Sequence, residues 1–215
     1  SFIHKKFLKY KSDFNVALII ESKACNPHSY KNIQKYHKEF DLILTYDEAL
    51  LKRFPEKTSF IPADTINIGS QFFGLNQEHK KIPISHIYSS KRSTEGHRLR
   101  HKIVKKYKSL PENFIHFLGS GTGGVRNREK GEFLVPYYFS LAIENSMQNF
   151  YFTEKIMDCF ISGTVPIYWG ITSIESFFDS SGILTFSNMR ELDDIIQKIL
   201  KDPKEVYSSM FDAVK

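Results

Sequence analysis

Along most of the chain, short apolar runs alternate with amphipathic stretches, and that alternation sets the expected fold class. FNVALII (Phe14–Ile20) reads as a buried strand, YKNIQKYHKEF as a helix, DLILT (Asp41–Thr45) as a second strand, DEALLKRF as a short helix and TSFIPA as a third strand. A β-α-β-α-β order is the signature of parallel strands joined by crossover helices. Between Asp64 and Pro83, glycines and charges follow no period, which predicts a linker. The alternation then restarts. ISHIYSS (Ile84–Ser90), FIHFLG, YFSLAIE (Tyr138–Glu144), TVPIYW and GILTF read as strands, and TEGHRLRHKIVKKY (Thr94–Tyr107), TEKIMDCFIS and SNMRELDDIIQKIL as helices. Leu99, Ile103 and Tyr107 share one face of the first of these helices, and Ile156, Met157, Phe160 and Ile161 the inner face of the second. Ser187 or Asn188 is expected to cap the third. The chain therefore reads as α/β with two lobes, residues 1–80 and 81–215.

In open α/β folds, ligands collect where loops and helix N-termini meet the carboxyl ends of the strands. That singles out Glu21, residues 89–92, the loop 119–126 and the stretch 144–155. In the last of these, Thr153 is a natural N-cap for a helix opening Thr-Glu-Lys, whose unpaired backbone N–H groups attract anions. Lys155 adds a full positive charge there, and the Glu154 carboxylate suits the hydroxyls of a ribose or sugar. The same triplet also reads as an ordinary capped helix with two solvated charges. GSGTGGVRNR (Gly119–Arg128) places four glycines ahead of Arg126, so that backbone can approach a phosphate and a guanidinium can clamp it. It is neither a Walker A loop nor a dinucleotide fingerprint, and a plain surface loop has the same composition. Glu21, at the end of the first strand, is a candidate general base for an attacking hydroxyl, or else a local cap.

Composition narrows the picture. With 215 residues, 41% hydrophobic, the chain can build substantial cores, and a net charge of +6 with a pI near 9.1 favours an anionic partner. The run Lys91–Lys108 holds eight Lys/Arg against one acid, but its poor aromatic interleaving fits a solvated helix face better than a nucleic-acid surface, so no nucleic-acid partner is expected. Cys25 and Cys159 suggest neither a disulfide framework nor a zinc site, the eight histidines are scattered, and no Asp-x-Asp occurs, so no metal and no cofactor are expected. No apolar run reaches the length of a membrane span. A cytoplasmic protein is expected, and the basic balance admits peripheral association with the inner face of a membrane.

VRN followed by YYFSLAIENSMQNFYFTEKIMDCFISGTVPIYWG resembles the donor-binding lobe of the α-1,3/1,4-fucosyltransferase family, with its Glu-Asn-Ser/Thr, Tyr-x-Thr-Glu-Lys and Gly-Thr-Val-Pro steps, ungapped from about Tyr138 to Gly170. The resemblance implies two Rossmann-like lobes of the GT-B type: an abbreviated acceptor-side lobe over residues 1–80 and a donor lobe over 81–215. It also implies an inverting, metal-independent transfer of L-fucose from GDP-fucose to a glycan hydroxyl. Arg126 and Lys155 correspond to the family's diphosphate ligands, Glu154 and Tyr151 to residues contacting sugar and ribose hydroxyls, and Asn145 to a residue lining the nucleotide site. IIESKACNPHSY resembles, more loosely, the segment whose Glu-Ser-Pro step carries the family's proposed general base; Glu21 takes that place, with Lys23 where the proline stands. A transferase using another nucleotide sugar and a non-catalytic nucleotide- or glycan-binding module are the alternative readings. The partners expected of a transferase are a nucleotide sugar and a glycan acceptor.

Overall fold

The computed structural model describes residues 12–63, 66–73, 77–111, 113–123 and 129–214. They form two parallel sheets. In the first lobe β1 (Val16–Ile19), β2 (Leu42–Thr45) and β3 (Thr58–Phe60) lie in that order, with Ala17 opposite Ile43 and Ile43 opposite Thr58. The crossovers are α1 (Pro27–Tyr36), capped by the Asn26 side chain and started by a proline that needs no N–H partner, and α2 (Glu48–Arg53), capped by Asp47. Ala17, Ile19, Ile33, Ile43 and Leu50 make the core between sheet and helices. On the other face Val16, Leu18 and Phe60 stay 46%, 41% and 43% exposed, so among the described residues this sheet is covered on one side only, whereas parallel sheets usually bury both.

The second lobe comprises β4 (Ile82–Ile87), α3 (Glu95–Tyr107), β5 (Ile115–Leu118), β6 (Tyr137–Ile143), α4 (Glu154–Ile161), β7 (Val165–Trp169), β8 (Leu184–Thr185), α5 (Met189–Lys201) and α6 (Pro203–Ser208). Its strand order is β5-β4-β6-β7-β8, all parallel. The chain winds outward from β4 in one direction to β5 and in the other to β6, so the order reverses between β4 and β6. Connections leave the two strands on opposite faces there and open a crevice at their carboxyl ends.

The expected strands and helices are present, with differences that have physical causes. Ile103 and Tyr107 are buried and Leu99 is partly so, but His97 and Arg100 are buried on the same face of α3. Around α4, Ile156 and Cys159 are buried with Met157, Phe160 and Ile161 packed beside them, and Asp158 is fully buried as well. That helix is enclosed nearly all round. Asn188, rather than Ser187, caps α5 by accepting from the N–H groups of Arg190 and Glu191. α6, absent from the sequence reading, is started by Asp202 and Pro203 and sends Val206 and Tyr207 into the core.

The stretch read as a linker packs on the second lobe. The Asn67 N–H donates to Asp158, Ile68 joins the α4 core, and the buried Lys80 ammonium donates to the Ser162 carbonyl at 2.8 Å and the Thr164 hydroxyl at 2.7 Å. No helix among the described residues is long and apolar enough to cross a membrane.

One close approach ties α3 to the end of β6. The Gly96 N–H donates to the Asn145 carbonyl, and a Cβ at Gly96 would run into the Glu144 carbonyl. Gly96→Ala is therefore expected to lower stability by about 1–3 kcal/mol, the range for overpacking a tight site, measured as a shift of the urea midpoint at constant slope.

Candidate active site

The side chain at the end of β6 organises this region. Glu144 continues the pairing with β7 through its N–H to the Trp169 carbonyl and is fully buried. A carboxylate withdrawn from water needs partners for its oxygens. It finds them nine residues on: the Thr153 N–H at 2.8 Å, the Thr153 hydroxyl at 2.8 Å, and the Lys155 ammonium at 3.3 Å. These bonds close the loop 144–153 and hold Thr153 extended (φ −134°) as the N-cap of α4. Phe150, inside that loop, sits at φ 60°, a left-handed conformation that costs a bulky residue about 1–3 kcal/mol. Its ring is wedged edge-on between Phe60 of the first lobe and Phe177 of the second.

Opposite charges alternate outward from Glu144. The Lys155 ammonium also reaches the Thr153 hydroxyl at 2.8 Å and Glu154 at 3.3 Å. Lys130 pairs with Asp158 at 2.6 Å and Glu154 at 3.5 Å. From α3, the Arg100 guanidinium donates to the Ile143 carbonyl and, at 3.2 Å, to Asn145 Oδ1. Burial disfavours the Lys155 ammonium, but Glu144 and Glu154 outweigh it and hold its pKa above that of an ordinary lysine. Burial likewise works against the Glu154 carboxylate, yet Lys155 and Lys130 pull its pKa down to about 2. For Asp158 burial prevails over Lys130, and its pKa is raised.

Two cavities meet this network. One, of about 260 Å³, fills the crevice between β4 and β6 and is lined by Tyr88, Ser89, Arg100, Lys130, Glu154 and Lys155. The other, of about 360 Å³, lies between the lobes, with Glu21 and Asn26 on one wall and Lys91, His97 and Asn145 on the other. Glu154 and Lys155 thus face the crevice, whereas Asn145 and Glu21 share the interlobe cleft. Tyr151 is 1% exposed, and its ring packs on Tyr46 of the first lobe at 5.1 Å, so it stands at the lobe junction. Arg126 lies outside the described residues. Among the described residues, no group of three or more His, Cys, Asp or Glu is placed to hold a metal ion.

The lobes are joined by a polar clasp. Gln148 Nε2 donates to Asp47 at 2.8 Å, and the Tyr46 hydroxyl lies 3.4 Å from Gln148 Oε1 and 3.1 Å from the Tyr30 hydroxyl. Tyr30 in turn donates to the Glu21 carbonyl at 3.2 Å. The backbone of the candidate base is thereby connected to the loop that precedes α4.

The sequence reading marked Glu144 only as the start of the stretch 144–155, and Arg100, Lys130 and Asp158 not at all. Glu144 ends an apolar strand with no charge beside it, a pattern that calls for a distant partner. Arg100 was absorbed into a basic run, although its spacing to Ile103 and Tyr107 puts it on the apolar face. Lys130 carries no sequence signal, because its partners lie on α4 and only folding brings them near.

Removing the central carboxylate tests this arrangement. Glu144→Ala removes the buried partner of the Lys155 ammonium, leaving it only Glu154 and the Thr153 hydroxyl, and unpairs the Thr153 N–H; it is expected to cost about 3–5 kcal/mol in chemical denaturation. Glu154 predicts an acid limb. Its folded pKa of about 2 lies below the ordinary 4.5, so its contribution to stability is complete above about pH 4.5 and disappears as the pH falls towards 2. Unfolding curves of the wild type and Glu154→Gln should converge over that interval, and a constant offset from pH 5 to pH 2 would contradict the ion-pair assignment.

Comparison with known proteins places the site in a family. The family described as "Glycosyltransferase family 10 (fucosyltransferase) C-term" matches residues 78–213. The Alpha-(1,3)-fucosyltransferase FucT of Helicobacter pylori is 36% identical over 99 residues, 42% of this chain and 21% of that protein. A crystal structure of an alpha1,3-fucosyltransferase with GDP-fucose superposes with a TM-score of 0.52 at 30% identity, over 63% of this chain and 40% of the other. A second, with GDP, reaches a TM-score of 0.62 over 91% of this chain and 64% of the other, at 22% identity, which speaks for the fold alone. The chain therefore spans only part of these relatives. With two parallel α/β lobes of the GT-B type and a match running from just before β4 to the end of the last core helix, the chain belongs to glycosyltransferase family 10.

Proposed function

We propose that the chain binds GDP-fucose in the crevice between β4 and β6 and transfers L-fucose, with inversion, to a hydroxyl of a glycan held between the lobes. The observation that carries this reading is the convergence of Arg100, Lys130 and Lys155 on a cavity at the N-terminus of α4, within the segment the family match covers. Family membership and the GDP and GDP-fucose complexes of the similar structures support the choice of donor.

The chemistry follows from charge. As the acceptor oxygen forms its bond to the anomeric carbon, the bond from that carbon to the β-phosphate oxygen breaks and its electron pair leaves with GDP. The leaving group gains negative charge, which Lys155, the N–H groups at the start of α4 and Arg126 would stabilise. Glu154 would accept hydrogen bonds from donor hydroxyls, Asn145 would border the nucleotide, and Tyr151 would back the site from the lobe junction. Glu21, on the opposite wall of the cleft, would take the proton that the acceptor hydroxyl loses.

Calorimetry with GDP, UDP, ADP and CDP tests the donor. GDP is expected to bind preferentially, with EDTA making no difference, and to lose at least about tenfold in affinity in Lys155→Ala and in Arg126→Ala, since each removes a charge-assisted contact. Glu21→Gln should retain GDP affinity and lose transfer. Absence of GDP binding at millimolar concentration would refute the proposal.

A further inference from the structure

We propose that His97 is an acceptor-binding residue, donating its Nε2–H to an oxygen of the acceptor sugar as Glu21 receives a neighbouring hydroxyl. The proposal rests on reading the interlobe cleft as the acceptor site of a fucosyl transfer, and it adds a residue and a protonation state which that reading does not contain.

The position of the proton follows from geometry. His97 is the third residue of α3, and its Nδ1 faces the Thr94 N–H at 3.3 Å and the Thr94 hydroxyl at 2.8 Å. A backbone N–H can only donate, so Nδ1 is the acceptor and the neutral ring carries its hydrogen on Nε2. No group among the described residues accepts from Nε2. His97 lines the interlobe cleft together with Glu21, Ser93 and Asn145.

The surroundings keep the ring neutral. Burial, with Arg100, Lys91 and Lys155 nearby, pushes its pKa down to about 4, and His101 acts in the same direction. A neutral imidazole with one fixed N–H is a hydrogen-bond donor at physiological pH and not a proton source. With Glu21 lining the same cavity, it makes a donor–acceptor pair matched to a pyranose that presents adjacent hydroxyls. The pairing also explains why a histidine closes the capping box of α3. A Glu or Gln at that position would cap equally well, but would bring a charge or a second donor into the cleft.

Capping and acceptor binding separate in two variants. His97→Asn puts a carbonyl oxygen near the place of Nδ1, preserving the acceptor for the Thr94 N–H, but has nothing at the Nε2 position. His97→Gln places an amide N–H close to Nε2. The probes are methyl β-D-glucopyranoside, methyl β-D-galactopyranoside and methyl N-acetyl-β-D-glucosaminide, added to GDP-saturated protein and, for turnover, to protein with GDP-fucose. Imidazole nitrogen–proton spectra should show His97 neutral at pH 7 with its proton on Nε2, and at least one glycoside should shift that resonance. For that glycoside, His97→Asn should raise KM at least tenfold with the GDP dissociation constant unchanged within twofold, and His97→Gln should recover most of the loss. A proton on Nδ1, an Nε2 resonance that none of the glycosides moves, or a His97→Asn variant with wild-type KM would overturn the proposal. Failure of the wild type to bind GDP would instead strike the donor reading. The two failures are distinguishable because the proton's position is read with no ligand present.

Discussion

A fully buried carboxylate, Glu144, is the constraint from which the rest of this site follows. Withdrawn from water at the end of a core strand, it must be paired, and its partners come from Thr153 and Lys155. Meeting that requirement closes the intervening loop, sets the first turn of α4 and brings the Lys155 ammonium to the crevice where the strand order reverses. The same loop carries Gln148 to the clasp with the first lobe and confines Phe150 to its left-handed conformation. Gly96 lets α3 approach the Glu144 backbone, and Arg100 from the same helix holds the Ile143 carbonyl and the Asn145 side chain. A structural ion pair and a candidate binding site are thus built from the same atoms.

That shared origin has an electrostatic consequence. Among the described residues, Arg100, Lys130 and Lys155 are balanced by Glu144, Glu154 and Asp158. On the proposed reading, a diphosphate would compete with carboxylates for cations already in position, which limits the side-chain ordering that binding must impose. Glu144 is too deeply placed to reach a ligand and serves to hold Lys155. Glu154, paired with Lys130 and Lys155 but lining the crevice, is placed to turn to a ligand's hydroxyls and stays ionised through the physiological range. The clasp of Tyr30, Tyr46 and Gln148 extends this order to the first lobe by connecting the Glu21 backbone to the loop before α4.

Local pattern was enough for the α/β class, the parallel strands, the division into two sheets and the cap at Thr153, because strand and helix periods and N-cap chemistry are properties of neighbouring residues. It also marked Glu154 and Lys155 as candidates, since a helix N-terminus after a core strand is where anions gather. Folding decided what pairing across the chain controls. Arg100 lay in a basic run whose solvated reading was reasonable until α3 packed against β6, and Lys130 found Asp158 only across the lobe. The stretch after Asp64 carries no period because it is held side chain by side chain, through Asn67, Ile68 and Lys80, with no repeating face. Whether Tyr151 faces a ligand or the other lobe, and which cavity each charged group lines, depends on contacts between residues about a hundred positions apart, as with Tyr46 and Gln148, and no local period encodes those.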